Sequence, residues 1–517
     1  MFKVFITYFE VSPLQKTAFI LMIISILSKF LGFARETFLS YFYGASSISD
    51  AYLISLTIPA VVFSFLGSGL ATSYIPLISE ILKEKGEKAA TRFTNNLVNF
   101  IILISSFLVI TVFIFTTPIV KLFASGFKEE ALRIAVALSR ITVFGIYFTA
   151  LTYIFNSFLQ LNGNFVIPAL IGFPYNIVII FSIILSSKLN NLLLLSIGSV
   201  IAIASQFLFV LPFSYKKGFR YDFILDFKDE YLKKVSILTL PVMLGTSVNQ
   251  INVLIDRTIA SGIIEGGISA LNYANRLNGF IQDIVVSSLA TVMYPLITKM
   301  AASNDEENFK KTLAENINLI NLLIVPATVG LIIFSVPITR LVYGRGAFDE
   351  RAVILTSGAL LFYSLGMVGV GARNILSRAF YSMQDTKTPV INSIYAVIMN
   401  IILNIVLSRF MGISGIALAT SISNLFCTGL LFIGLRKKIG PFGVKNVIIT
   451  FFKISIASLI MGILAGFSYM KLLSFLGQNL SLLVSIIIGA FSYFLIIIFM
   501  KIEEVETLLS KARRRFL

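Results

Sequence analysis

The sequence predicts an all-α integral membrane protein with 14 transmembrane helices, in two six-helix repeats of parallel orientation plus two extra C-terminal helices. Three observations lead to this prediction. The 517 residues are 57% hydrophobic and 13% charged, whereas soluble domains have roughly 25% charged residues. The apolar residues form runs of about 20, without the alternation of a membrane barrel. Parts of the sequence also recur about 219 residues apart.

Fourteen apolar segments follow one another along the chain, and several are longer than a membrane crossing requires. They span approximately 13–34, 50–79, 93–116, 132–160, 165–187, 191–213, 232–261, 266–298, 312–336, 352–382, 389–408, 414–436, 447–471 and 480–500. The even-numbered loops between them carry about twice the Lys and Arg of the odd-numbered loops. By the positive-inside rule, both termini are therefore expected in the cytoplasm.

Two stretches of the chain repeat in register. The string LATSYIPLIS at 70–79 returns as LATVMYPLIT at 289–298, and PIVKL at 118–122 returns as PITRL at 337–341. Further pairs at nearly this spacing are Gly145 with Gly366 and Pro168 with Pro389. Segments 1–6 therefore map onto segments 7–12, and an even number of crossings gives both halves the same orientation. Duplicated bundles of this kind are typical of transporters that work by alternating access.

The repeat sets the expected domain boundaries, with two segments left over at the C-terminal end. The expected domains are an N-terminal lobe at 1–213, a cytoplasmic linker at 214–231, a C-terminal lobe at 232–436, segments 13 and 14 at 447–500, and a basic cytoplasmic tail at 501–517.

The charge and the rare residue types exclude several functions. The net charge is +17, but most Lys and Arg fall in short loops, which indicates membrane topology rather than nucleic-acid binding. Histidine is absent, which removes imidazole acid–base chemistry, and the single cysteine permits no intrachain disulfide. The chain lacks both glycine-rich nucleotide-binding motifs. We expect no enzymatic activity, no bound cofactor other than a coupling ion, and a monomer.

The eighth segment carries a polar stripe that cannot face lipid. It contains Ser269, Asn272, Arg276, Gly279 and Asp283 at helical spacing. A charge at mid-membrane costs about 2.5–3.5 kcal/mol on insertion scales, so the stripe faces protein or water. The alternative to a substrate site is a structural Arg276–Asp283 pair, although two helical turns separate the two residues.

Oxygen-bearing side chains recur on segments 7, 11 and 12. Segment 7 has Gly245, Asn249, Asn252 and Asp256 on one face; segments 11 and 12 have Asn400, Asn404 and Thr420. Such groups suit a hard cation such as Na⁺. Interhelical hydrogen bonding explains the same composition equally well.

Two cations flank Gly32 near the end of the first segment. Lys29 and Arg35, together with Arg276, could line one positive cavity for an anionic headgroup, because the planar arginine fork matches phosphate oxygens. The alternative is snorkelling of these side chains to the membrane surface. Pro59 is expected to kink the second segment.

Five motifs point to one family. They read SKFLGFARE at 28–36, DAY at 50–52, YANRL at 273–277, GRGAF at 344–348 and RAFYSMQDTKTP at 378–389. In combination they resemble the MurJ (MviN) family of lipid II flippases, within the multidrug/oligosaccharidyl-lipid/polysaccharide exporter superfamily.

The resemblance implies a flippase of the bacterial cytoplasmic membrane that moves undecaprenyl-diphosphate-linked peptidoglycan precursor to the outer leaflet. Segments 13 and 14 would form a groove for the lipid tail, and membrane lipids would surround the protein. The implied substrate-side residues are Lys29, Arg35, Asp50 and Arg276. The polar stripe of the eighth segment adds Ser269 and Asn272 as candidate substrate contacts. The implied sodium ligands are Asp256, Asn400, Asn404, the Ile416 carbonyl and Thr420.

The chain departs from the family pattern at three positions. Lys29 stands where the family commonly has arginine, and Asn404 stands where a member with the sodium site has aspartate. After the proline of the second segment the family has paired arginines, but this chain reads PAVVFS at 59–64. The leading hypothesis is therefore a lipid II flippase, and the alternatives are a flippase for another polyprenyl-linked oligosaccharide or a multidrug exporter of the same superfamily.

Two other classes fit the sequence less well. A membrane-embedded glycosyltransferase needs an acidic metal-binding cluster and a large soluble loop, and no odd-numbered loop is long enough for one. A non-transporting scaffold would not explain polar stripes inside both halves.

Overall fold

The computed structural model describes residues 13–302, 305–506 and 510, and every regular element in that part of the chain is a helix. Some side chains inside the helices, chiefly at 240–249 and 285–299, lie outside the description. The described helices, in chain order, are α1 Pro13–Tyr43, α2 Ser47–Ile114, α3 Thr116–Phe123, α4 Glu129–Thr142, α5 Gly145–Leu161, α6 Val166–Leu170, α7 Gly172–Lys188, α8 Leu193–Lys216, α9 Glu230–Ile263, α10 Gly267–Ala302, α11 Glu306–Ile333, α12 Ser335–Tyr343, α13 Glu350–Leu365, α14 Met367–Ser382, α15 Lys387–Met411, α16 Ile413–Ile439, α17 Val444–Leu472 and α18 Gln478–Phe499.

The all-helical membrane class is confirmed. Within the described residues, nine helices are long and apolar enough to cross a membrane, and two helix pairs raise this number to eleven if each pair is one bent span. The predicted segments lie on helices. The first, seventh and eighth lie on α1, α9 and α10. These three helices have 31, 34 and 36 residues. The number of 14 crossings stays a prediction.

Segments 2 and 3 lie on the two parts of α2, 68 residues in all, which meet at a kink with non-helical backbone at Gly86. Gly86 has φ of 75°, a conformation that glycine adopts without a steric penalty. Helix α2 continues through Pro59, and the kink that the sequence predicts there stays a prediction. Because proline has no N–H, the Ser55 carbonyl loses its helical donor, and the Thr142 hydroxyl replaces that donor at 2.6 Å.

The chain forms two compact units, Met1–Glu265 and Gly266–Leu517. In the first unit α1 packs on α7 where glycines allow close approach: a Cβ added to Gly172 would lie 2.1 Å from Ser28 Oγ. Helix α9 packs along α2, where Arg257 donates to the Leu53 carbonyl at 2.9 Å. The expected lobe boundaries of 1–213 and 232–436 follow the repeat and stay a prediction; by packing, α9 belongs to the first unit.

The predicted linker is held in place by asparagines of α2. Asn96 donates to the Asp226 carbonyl at 2.9 Å and accepts from the Asp226 N–H at 2.8 Å. Asn95 and Asn99 donate to the carbonyls of Arg220 and Ile224, each at 2.9 Å. These contacts satisfy backbone groups that the coil at 217–229 would otherwise leave unpaired.

In the second unit, α11 packs against α10, α14 and the hairpin of α17 and α18. Tyr493 of α18 donates to the Leu322 carbonyl at 2.7 Å, and an apolar cluster that includes Ile454 and Ala457 fills this contact. The opposite faces of α17 and α18 expose large apolar side chains such as Ile463 and Phe491, which suits helices that border lipid.

Positions matched by the sequence repeat have the same local structure in each unit. Helices α4 and α5 meet at Gly145 with a bend of 42°, and α13 and α14 meet at Gly366 with the same bend. The second repeated string likewise lies on a short helix in each unit, α3 and α12, directly after a long helix.

Candidate functional site

Arg35 is held in the first unit by three side chains. Its Nη2 lies 2.6 Å from Glu36 Oε1 and its Nη1 donates to Asn176 Oδ1 at 3.3 Å. The guanidinium also lies over the Tyr175 ring, 5.5 Å from the ring centroid. The Arg35 side chain is 16% exposed and that of Glu36 is 4% exposed. The pairing neutralises a mostly buried charge, while a guanidinium with five donors keeps others for a ligand.

Local packing explains how Arg35 reaches these partners. Gly32, one turn earlier on α1, has no Cβ, and a Cβ there would lie 3.9 Å from the Asn176 amide. The Asn176 amide donates to the Gly172 carbonyl at 2.8 Å, which turns its oxygen toward Arg35. The sequence motif predicted Arg35 as a site residue, but did not identify Asn176 or Tyr175, since both lie about 140 residues away.

The other predicted residues of the first unit are Lys29, Asp50 and Asp256. Lys29 is half-buried on α1, and Asp256 is half-buried on α9. Asp50 is 2% exposed in the first turn of α2, where a carboxylate is favoured by the helix dipole. Gly245 and Asn249, also predicted on this face of α9, lie in the part of that helix whose side chains are outside the description.

The predicted stripe of the second unit lies on the first half of α10. Ser269 is fully buried and donates to the Gly266 carbonyl at 3.1 Å, and Asn272 is half-buried. Arg276 and Asp283 are exposed. The stripe thus runs from the buried start of α10 to an exposed cation, and what it faces stays a prediction.

Four of the five predicted cation ligands come together between α15 and α16. Asn404 donates to Asn400 Oδ1 at 2.8 Å, Asn400 donates to Thr420 Oγ1 at 3.3 Å, and Thr420 donates to the Ile416 carbonyl at 3.1 Å. Asn400 and Asn404 are 2% and 0% exposed. All four groups supply neutral oxygens of the kind that a hard cation accepts. The fifth, Asp256, belongs to the other unit.

Sequence reasoning missed an intramembrane arginine of the second unit. Arg373 on α14 donates to Asn424 Oδ1 at 3.3 Å and to Ser393 Oγ at 3.2 Å. The sequence does indicate such a residue, because an arginine inside an apolar segment is energetically costly and needs polar partners on neighbouring helices.

Comparison with known proteins identifies relatives over nearly the whole chain. The family model described as "Lipid II flippase MurJ" matches residues 39–495. A protein of Thermotoga maritima named probable lipid II flippase MurJ is 30% identical over 488 residues, which cover 94% of this chain and 96% of the relative.

Solved structures give the same result. A structure entitled "Lipid II flippase MurJ, inward closed conformation" is 30% identical, with a TM-score of 0.81 over 92% of this chain and 97% of that chain. An inward-facing multidrug transporter of the MATE family shares the fold alone, with 15% identity and a TM-score of 0.70 over 82% of this chain and 98% of the other.

Proposed function

Because this chain belongs to the MurJ family of lipid II flippases, we propose that it moves lipid II from the inner to the outer leaflet of the cytoplasmic membrane, for peptidoglycan synthesis. The chain is a multi-pass transporter and makes or breaks no covalent bond in its substrate. The observation that carries the proposal is Arg35, a mostly buried guanidinium oriented by Glu36 and Asn176.

We assign Arg35 to the diphosphate of the substrate. A guanidinium forms paired, charge-assisted hydrogen bonds with phosphate oxygens. Its carboxylate partner stabilises the charge when the substrate is absent, and an anionic ligand replaces that interaction when it binds. Lys29 and the exposed Arg276 are proposed as further cations for the headgroup, with Asp50, Ser269 and Asn272 as polar contacts.

The duplication supports alternating access as the mode of transport. The repeated strings, the equal 42° bends at Gly145 and Gly366, and the short helices α3 and α12 favour two related bundles. We therefore propose 14 crossings in two parallel six-helix repeats, with α17 and α18 added as a groove for the lipid tail and both termini in the cytoplasm. The exposed apolar faces of α17 and α18 suit that groove.

Sodium is proposed as the coupling ion. Asn400, Asn404, Thr420 and the Ile416 carbonyl would hold it, with Asp256 as the predicted charged ligand. The bound ion would supply an electrochemical driving force for transport. The Asn400 oxygen accepts a hydrogen bond from Asn404, and the Ile416 carbonyl accepts one from Thr420. A bound ion would replace these two internal hydrogen bonds.

Replacement of the essential lipid II flippase in a depletion strain tests the proposed function. Wild type is expected to restore growth, and Arg35→Ala and Arg276→Ala at matched expression are expected to fail. Arg133→Ala is the control, because Arg133 is 77% exposed and pairs only with the nearby Glu129 among the described residues. Failure of a well-expressed wild type would indicate another lipid-linked glycan, whereas rescue by all variants would contradict the assigned cations.

A further inference from the structure

The first unit contains a cavity of about 530 Å³, within the usual size range of a small-molecule site. It lies among α2, α4, α5, α7 and α8. Tyr175 forms one wall, and the Arg35 guanidinium lies over the ring of the same tyrosine. Another wall is Tyr153, which is 42% exposed, so the cavity is not sealed. The cavity is thus a neighbour of the proposed diphosphate cation.

The lining of this cavity carries no full charge. Among the described residues that line it, none is Asp, Glu, Lys or Arg. Three threonines contribute hydroxyls whose protons are already donated to backbone carbonyls: Thr142 to Ser55 at 2.6 Å, Thr149 to Gly145 at 2.9 Å and Thr152 to Phe148 at 2.7 Å. Each hydroxyl therefore has only acceptor lone pairs left to offer a ligand. These three hydroxyls favour ligands that donate hydrogen bonds.

Asn156 adds a buried amide oxygen to the same wall. Its Oδ1 is buried and makes no hydrogen bond to any residue that the structure describes. Buried polar atoms in proteins are nearly always paired with protein, water or ligand. Because an amide can be turned to exchange its oxygen and nitrogen, Asn156 can serve a ligand as donor or acceptor.

Aromatic rings complete the cavity. Phe63 and Tyr153 pack with their ring centroids 5.5 Å apart, and Tyr175 lies on another wall. Rings with an apolar body and a polar tip suit a ligand that has apolar C–H faces and hydroxyl or amide edges. A sugar ring with an acetamido group has both.

We propose that this cavity is a sugar subsite, which takes an uncharged, acetamido-bearing sugar ring of the substrate headgroup while Arg35 holds the diphosphate. The proposal rests on the proposed function, because a lipid-linked glycan carries its first sugar directly on the diphosphate. Tyr175 is the shared wall that places the two groups side by side. Because no described residue of the lining carries a positive charge, the diphosphate binds at Arg35 rather than in the cavity, and the headgroup binds in one orientation.

Binding of separate headgroup fragments to the purified full-length protein in detergent tests the subsite. The sugar probe is the methyl glycoside of N-acetylglucosamine, followed by saturation-transfer NMR, and the anion probe is inorganic pyrophosphate, followed by ³¹P line broadening. Asn156→Leu and Thr149→Val remove hydrogen-bonding groups with little change of volume. Asn156→Leu is expected to keep its thermal stability, because it replaces an unpaired buried amide by an apolar group.

The subsite predicts that each variant weakens sugar binding about tenfold, as loss of one buried hydrogen bond implies. Pyrophosphate binding should stay unchanged in both variants and be lost in Arg35→Ala. Thr111→Val should bind both probes as wild type does, because its hydroxyl lies outside the cavity and donates only to Phe107.

Three results would overturn the subsite. One is the absence of sugar binding to wild type, and another is equal sugar binding to wild type and Asn156→Leu. The third is cation binding in the cavity. Tetraphenylphosphonium would then bind to wild type, and only Asn156→Leu and Thr149→Val would weaken that binding. Sugar binding by a chain that does not rescue the depletion strain would leave the subsite standing and contradict lipid II as the substrate.

Discussion

At the scale of one residue, a sequence motif predicted Arg35 but not its partners Asn176 and Tyr175. The string SKFLGFARE marks the position and supplies Glu36. Neighbouring residues on a helix do not face each other, so spacing alone gives no reason to pair them. The pair forms because α7 brings Asn176 and Tyr175 against the same guanidinium. Those partners follow from packing, which the sequence does not show.

Asp385 gives a local prediction that is independent of transport. Its carboxylate accepts from the Thr388 N–H at 3.0 Å and the Thr388 hydroxyl at 2.9 Å, at the start of α15, and from Lys438 at 2.7 Å. Asp385 lies just before Thr386, the N-cap of α15, and these contacts hold the first turn of that helix. Asp385→Ala should lower the free energy of unfolding by about 1 kcal/mol, the usual net value of a lost hydrogen bond. Asp385→Asn keeps an accepting oxygen and should cost less.

The same residue predicts a pH dependence. Lys438 and the Thr388 N–H lower the pKa of Asp385 from 3.8 to about 2. A carboxyl group with a lowered folded-state pKa stabilises the fold above its unfolded pKa, and this contribution is lost as the pH falls through the folded one. The stability difference between wild type and Asp385→Asn should therefore be constant above about pH 5 and shrink between about pH 4 and pH 2. Thermal unfolding in detergent measures it; a difference that grows on acidification would contradict this role.

At the scale of helices, the contact between α9 and the turn after α3 depends on Gly126. A Cβ on Gly126 would lie 2.2 Å from the Cα and 2.4 Å from the N of Gly262. Around this contact Ser261 Oγ accepts from the Gly126 N–H at 3.0 Å, and Thr258 donates to the Leu122 carbonyl at 3.0 Å. Both glycines lie at the same close contact, but only a Cβ on Gly126 would clash with the neighbouring backbone.

Gly126→Ala is expected to destabilise the protein by about 1–3 kcal/mol, the usual cost of overpacking a tight contact. Gly262→Ala is the matched control, since its Cβ would be 3.9 Å from the Gly126 Cα, an ordinary contact, and alanine favours helix. Thermal unfolding of both variants compares them. Equal effects of the two substitutions would show that the crossing is looser than described.

The helices were largely predictable and their breaks were not. Long apolar runs placed the predicted segments on helices, because membrane crossing imposes length and composition directly, while the number of 14 crossings stays a prediction. Pro59 lies inside α2, and Thr142 of another helix supplies the donor that the Ser55 carbonyl lacks. The ordered linker at 217–229 also depends on distant groups, the asparagines of α2. The composition of the linker itself therefore does not indicate that it is held in place.

At the scale of the whole molecule, the internal repeat and the family relation support the same function. The repeat was visible in the sequence because short strings recur in register, and the matched positions have equal bends in each unit. The substrate class came from the family motifs rather than from composition. The neutral stretch at 59–64, where the family has arginines, lines part of the cavity that we assign to a sugar.

The most direct test of lipid II flipping through Arg35 is transport in vesicles that contain only this protein. Fluorescent lipid II in one leaflet becomes accessible to a membrane-impermeant reductant as it crosses. Wild type and Arg133→Ala should flip it at the same rate, while Arg35→Ala should be roughly tenfold to a hundredfold slower, as loss of a charge-assisted contact implies. A wild-type rate equal to that of empty vesicles, or an Arg35→Ala rate equal to wild type, would contradict the proposed mechanism.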